Sequence, residues 1–211
     1  MNNLLRVNKA CFILFCIAIL LIITYLQQEY VVSPTIRNMQ VINETIKAKI
    51  VESYYKYRWL MFLTPVAILL IRVSLVALCL FIGSLFNEGR QKIRYADSWN
   101  ITLKSDIVLI LFSIAICAVA IISGSDSATE FSRHSSFAFL VDPSSTEQWL
   151  LVPIAALNIF EVGYWFFMAK LVAVQTGGGY WNSFKFVLST YGVGYLFYIV
   201  FLMFLLLYLT N

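Results

Sequence analysis

Long apolar runs separated by short polar stretches set the pattern of this chain. Residues 11–26, 59–86, 107–123, 149–174 and 181–209 are almost unbroken apolar sequence. A helix rises 1.5 Å per residue, so about 20 such residues cross a hydrocarbon core of about 30 Å. Each run is read as a transmembrane helix. The longest polar stretch, residues 27–58, lies between the first two. Ser33-Pro34 offers an N-cap followed by proline at the first helical position. Ile36, Met39, Ile42, Ile46, Ile50 and Tyr54 then recur every three or four positions, while Arg37, Glu44, Lys47, Lys49 and Glu52 take the other face. The spacing predicts an amphipathic helix over 34–57 that lies on the bilayer surface, docks on a partner or packs on the chain's own bundle. Tyr54, Tyr55, Tyr57, Arg58 and Trp59 mark the interface where it joins the second span.

The remaining segments read as connections. Residues 87–106 form a charged loop, and residues 124–148 a solvated one containing His134, with Ser135–Val141 apolar enough to dip into the interface as a short helix. Residues 175–180 make a tight glycine-rich turn. The expected fold is therefore an all-α polytopic membrane helix bundle. It is a single membrane domain over 1–211, with five transmembrane helices and an amphipathic helix between the first two.

Composition agrees. The chain is 61% hydrophobic and 12% charged, against about 25% charged in soluble domains. A bilayer admits only helices or a closed barrel, and unbroken apolar runs select helices. A net charge of +4 is no argument for nucleic acid, and none is expected as a partner. It matters through its distribution. Arg6 and Lys9 precede the first span, and Arg90, Lys92, Arg94 and Lys104 fill 87–106. Asp126, Glu130, Asp142 and Glu147 outnumber Arg133 in 124–148. The positive-inside rule then places the N-terminus in the cytoplasm and the C-terminus outside. Residues 27–58 are the discordant segment, with five basic residues outside. The first run resembles a secretory signal, but TYLQQEY after it has no small-residue cleavage site, so it reads as an uncleaved span.

Chemistry-bearing motifs are scarce. Cys11, Cys16, Cys79 and Cys117 all lie in apolar runs without CxxC spacing, as small buried hydrophobes do. His134 has no sequence partner for hydrolysis or metal binding. The Gly177-Gly178-Gly179 turn lacks the Lys-Ser/Thr ending of a phosphate-binding loop. No catalytic residue, cofactor or metal site is expected, and the chain does not read as an enzyme. The exceptional residues are charges inside spans. Arg72 lies about 13 residues into the second span and Glu161 about 12 into the fourth, beside Asn158. Spans two and four run the same way, so both charges fall at one depth, roughly 18–20 Å from the outer end. Each alone costs about 3 kcal/mol or more there, so Arg72 and Glu161 are expected to pair, with Asn158 near them. Lys170, nearer the inner end, snorkels to headgroups. Gly192 and Gly194 permit close helix approach in the last span.

The last third resembles the Yip1 family. Leu157-Asn158-Ile159-Phe160-Glu161, then Trp165-Phe166-Phe167, then Asn182-Ser183-Phe184-Lys185 match the family's late-helix pattern, turn and final span. The segment YADSWNITLKSDIVLIL resembles the stretch before its third span. The resemblance implies a five-span membrane domain of the bacterial type, and with it a place in the bacterial cytoplasmic (inner) membrane. Lys170-Leu171 stands where the family often has glycine, and the long polar N-terminal region of eukaryotic members is replaced by a span and an amphipathic helix. A Rab-GTPase partner is therefore not implied. The expected function is a non-enzymatic accessory or scaffold subunit of a larger membrane assembly, with the lipid bilayer and other membrane subunits as partners. The alternative is a small transporter or proton-coupled permease that uses Arg72 and Glu161 in mid-membrane.

Overall fold

The computed structural model describes residues 8–37, 44–86, 92–142 and 146–210. Arg6, Met39, Ile42 and Arg90 lie outside them. Among the described residues every secondary-structure element is a helix, and there is no strand. Four helices are long and apolar enough to cross a membrane: Lys9–Val32, Ala48–Phe86, Tyr95–Ser123 and Tyr180–Leu209. The chain is thus built as a membrane-embedded bundle. The apolar run 149–174 is not a fifth such helix, because it breaks at residues 157–158.

Helix α1 (Lys9–Gln27) starts at Asn8, whose side chain accepts from the Ala10 amide. A wide π turn over Gln28–Val32 leads directly into α2 (Ser33–Arg37). Ser33 does not open a separate helix as its sequence predicts. Pro34 has no N–H, and the widened turn before it lets the helix continue. Helix α3 (Glu44–Phe86) is one element of 43 residues with Pro65 inside it. It runs unbroken from the segment expected to be amphipathic into the second apolar run. Its early part docks on the chain's own π turn. Tyr54 Oη and Arg58 Nε each donate to Gln28 Oε1 at 3.1 Å, and Arg58 pairs with Glu29. Lys49, Glu52 and Lys56 face outward.

The charged stretch 87–106 departs most from a loop. Its second half is helix α4 (Tyr95–Ser105), followed after Asp106 by α5 (Ile107–Ser123). Residues 101 and 103 lie about 200° apart around a helix, and α4 buries both flanks. Ile101 packs with Val76, Leu80, Tyr164 and Met168. Leu103 packs with Phe12, Cys16, Leu69 and Val73. A polar helix thus becomes the wedge between the two cores. Two of its hydroxyls bond back to its own backbone, Thr102 to the Ser98 carbonyl and Ser105 to the Ile101 carbonyl, each at 2.9 Å. Lys104 is 0% exposed, and its Nζ has no hydrogen-bond partner.

Gly124, at φ 92°, then reverses the chain, the left-handed backbone that glycine tolerates. Helix α6 (Ser125–His134) folds back along α5, bringing Phe131 to 6.5 Å from Phe112. A short 3-10 helix follows over Phe137–Leu140. Then come α7 (Gln148–Ala156), α8 (Ile159–Thr176), α9 (Tyr180–Val187), a second π turn (Leu188–Gly192) and α10 (Val193–Thr210).

One end of the bundle collects basic groups. Lys9 Nζ donates to the Ala96 carbonyl at 3.4 Å, which sets the start of α1 beside the start of α4. A cavity of about 480 Å³ lined by Gly83, Phe86, Asn182 and Lys185 sets the end of α3 beside α9. Where α3 crosses the second π turn and the start of α10, the approach depends on small residues. A Cβ at Gly83 would lie 2.8 Å from Thr190 Cβ, and one at Gly194 would lie 3.0 Å from Cys79 Sγ. Gly192 has no such neighbour on another helix; a Cβ there meets Leu188 of its own turn at 3.2 Å. Gly83→Val is expected to cost about 1–3 kcal/mol by overpacking this crossing. A lowered melting temperature of the detergent-purified protein checks it; unchanged melting would mean that the contact yields freely.

Candidate functional site

The site forms where the fourth apolar run breaks. Leu157 and Asn158 are extended, and α8 begins afresh behind them. The Asn158 side chain is the reason. Its Oδ1 accepts from the Glu161 amide at 2.8 Å, the bond of a helix N-cap. Open backbone inside an apolar bundle must be satisfied by protein. Phe137 N donates to the Leu157 carbonyl at 2.9 Å, and Ile159 N donates to the Ser135 carbonyl at 2.9 Å. The Ala156 carbonyl accepts from Tyr195 Oη at 2.7 Å and from Asn158 Nδ2 at 3.3 Å. The expected single helix over 149–174 is therefore two helices, pinned at their joint by the segment after α6. The sequence carried a signal for this: Asn158 followed three residues later by Glu161 is a helix-start pattern, hidden within an apolar run.

The break puts Glu161 in the first turn of α8, where the helix dipole favours a negative charge. Glu161 is 5% exposed and well supplied with donors. Tyr191 Oη donates to its Oε1 at 2.6 Å and Trp165 Nε1 at 3.0 Å, and Arg72 Nη2 lies 3.4 Å from its Oε2. Tyr191 comes from the second π turn; such widened turns are frequent at functional sites. The Arg72 guanidinium sits with Cζ 4.8 Å from the centre of the Tyr164 ring. Its other arm, Nη1, lies 4.0 Å from Asp106 Oδ1 at the α4–α5 junction. Asp106 is 2% exposed and Tyr164 0%. Asp106 Oδ1 and Tyr164 Oη both lack a hydrogen-bond partner.

Arg72 and Glu161 thus lie 3.4 Å apart. Asn158 does not join them; it holds the backbone on which Glu161 stands. Asp106, Tyr164, Trp165 and Tyr191 complete the cluster and are not apparent from sequence. Asp106 reads as the end of a charged loop, and the aromatics read as core. The available signal was local: on a helix, Tyr164 and Trp165 share the face of Glu161 at i+3 and i+4. Lys170 and His134 stay outside. Lys170 is exposed, with Nζ 5.9 Å from the centre of the Tyr180 ring, and His134 Nδ1 lies 2.9 Å from the Glu130 carbonyl. Among the described residues, no three His, Cys, Asp or Glu side chains group as metal ligands do.

The charge count defines the chemistry. One guanidinium faces two buried carboxylates, so the cluster has an acceptor to spare for a proton. Asn158→Ala is expected to cost about 1 kcal/mol, through the lost cap. Thermal unfolding in detergent checks this, and Asn158→Asp, which keeps the cap oxygen, should melt closer to wild type than the alanine variant. No protein-family model, no curated protein and no solved structure matches the chain.

Proposed function

We propose that the chain is a small proton-coupled permease whose working centre is the cluster of Arg72, Asp106 and Glu161. One observation carries the reading. A buried site holds two carboxylates and one guanidinium, placed at the start of a helix that begins inside the bundle. Intramembrane ionisable groups are costly and mark proton or ion paths. Helices interrupted within the apolar layer are how transporters present polar groups there. In this reading the chain makes five crossings, the fourth being α7 and α8 together. The segment before Arg58 is amphipathic and rests on the bundle surface. Lys9, Lys92, Arg94 and Lys185 at one end support a cytoplasmic N-terminus in a bacterial inner membrane and an outside C-terminus. The residues matching the Yip1 pattern support descent from a bacterial branch of that family.

The test is proton movement. Proteoliposomes loaded with a pH-sensitive dye should dissipate an imposed pH gradient faster than protein-free vesicles. Glu161→Gln should abolish the difference, because it leaves one carboxylate to one guanidinium. Wild-type vesicles that hold the gradient as well as empty ones would sink the reading.

A second reading, an accessory subunit of a larger membrane assembly, draws on α10. Phe197, Phe201, Phe204 and Tyr208 are all exposed, at the spacing of one helix face. Such a face suits a partner helix as well as lipid. A tagged chain purified in mild detergent should then carry another membrane protein at fixed ratio through size exclusion. Elution alone would remove this reading.

A further inference from the structure

We infer that the spare proton of the cluster resides on the Asp106 carboxyl. The inference rests on the reading of the cluster as a proton-binding centre and names the group that does the binding. The two carboxylates are not equivalent. Glu161 receives Tyr191 Oη at 2.6 Å, Trp165 Nε1 at 3.0 Å and Arg72 Nη2 at 3.4 Å, and lies in the first turn of α8. Donor bonds and a helix N-terminus both favour the charged carboxylate. Asp106 is as deeply buried but poorly supplied. Its closest cationic atom is Arg72 Nη1 at 4.0 Å, Oδ1 accepts no hydrogen bond, and its side chain does not cap α5. A buried carboxylate with so few donors is relieved of its desolvation cost by taking a proton.

Among the described residues no second cation pairs with Asp106. From α3 the charged group facing Asp106 is Arg72, and from α8 the facing groups are Glu161 and Tyr164, whose hydroxyl is the one neutral donor directed toward the carboxyl. From α1 the titratable group is Cys16, buried and without charge when protonated. On its own chain, Lys104 is two positions away, and residues i and i+2 point to different sides of a helix. Protonation takes the cluster from one excess negative charge to none. The new O–H becomes a donor, and the unpartnered Tyr164 Oη flanks the same guanidinium. Loss of that proton is then the step that charges the site, and in a permease it is the step to which a conformational change couples.

Infrared spectroscopy reads this directly. Wild-type protein in lipid at neutral pH should show the carbonyl stretch of a protonated carboxyl. Carbon-13 in the side-chain carboxyl of aspartate should shift that band down, whereas the same label in glutamate should leave it in place. Asp106→Asn should remove it. A band that follows the glutamate label, or no band at neutral pH, overturns the assignment. A band that follows aspartate in vesicles that conduct no protons keeps the assignment and removes the permease reading instead. The near-isosteric asparagine guards against misfolding, and the labelled wild type needs no substitution at all.

Discussion

Arg72→Leu is expected to destabilise the protein more than any other single substitution in the polar cluster, by about 3–5 kcal/mol. The reason is asymmetry rather than the strength of one bond. Arg72 lies 3.4 Å from Glu161 and 4.0 Å from Asp106, and its guanidinium stacks on Tyr164. Leucine removes the single cation and leaves Glu161, 5% exposed, with no countercharge in an apolar interior. The measurement is the fraction of protein that stays monodisperse in mild detergent as temperature rises. Arg72→Lys should rescue only partly, because a point charge cannot serve two carboxylates and a ring face together. Adding Asp106→Asn and Glu161→Gln to Arg72→Leu should recover most of the loss, since a neutral cluster has no charge left unpaired. If the triple variant is no more stable than Arg72→Leu alone, the guanidinium acts through packing and the electrostatic account fails.

The second large effect is non-additive. Asp106→Asn and Glu161→Gln should each cost less than about 1 kcal/mol, because either leaves one carboxylate to balance Arg72, and glutamine still accepts from Tyr191 and Trp165. Together they strand the guanidinium in the bundle. The double variant should fall by about 3–5 kcal/mol, with a coupling of about 2–3 kcal/mol between the sites. Four melting curves, or four denaturant titrations in one detergent, close the cycle. A sum of two small effects would mean that the carboxylates do not share Arg72. This coupling also separates the cluster from an ordinary surface ion pair, for which contributions of about 0–1 kcal/mol are usual.

The sequence by itself determined the class of the molecule. Apolar runs of bilayer length leave the backbone no partner but itself, so helices and their approximate limits follow from hydropathy alone. It also exposed Arg72 and Glu161, because a charge inside an apolar run has no inexpensive place to go. Span direction and helix rise gave only an expectation of a common depth; the 3.4 Å contact between them is read from the fold.

Tertiary structure decided what hydropathy cannot encode. Tyr95–Ser105 looks like a charged loop because its residues are polar, yet residues 100–105 are buried, because Ile101 and Leu103 pack into different cores while the Thr102 and Ser105 hydroxyls bond back to their own helix. That burial turned Asp106 from a loop residue into the second carboxylate of the site. The run 149–174 looks continuous because a broken helix in an apolar layer needs partners for its open backbone, and those partners, Ser135 and Phe137, come from a segment far from it in the sequence. Both surprises have one physical origin: where a polar segment is buried is set by which distant parts of the chain pack against it, and that packing is a property of the fold.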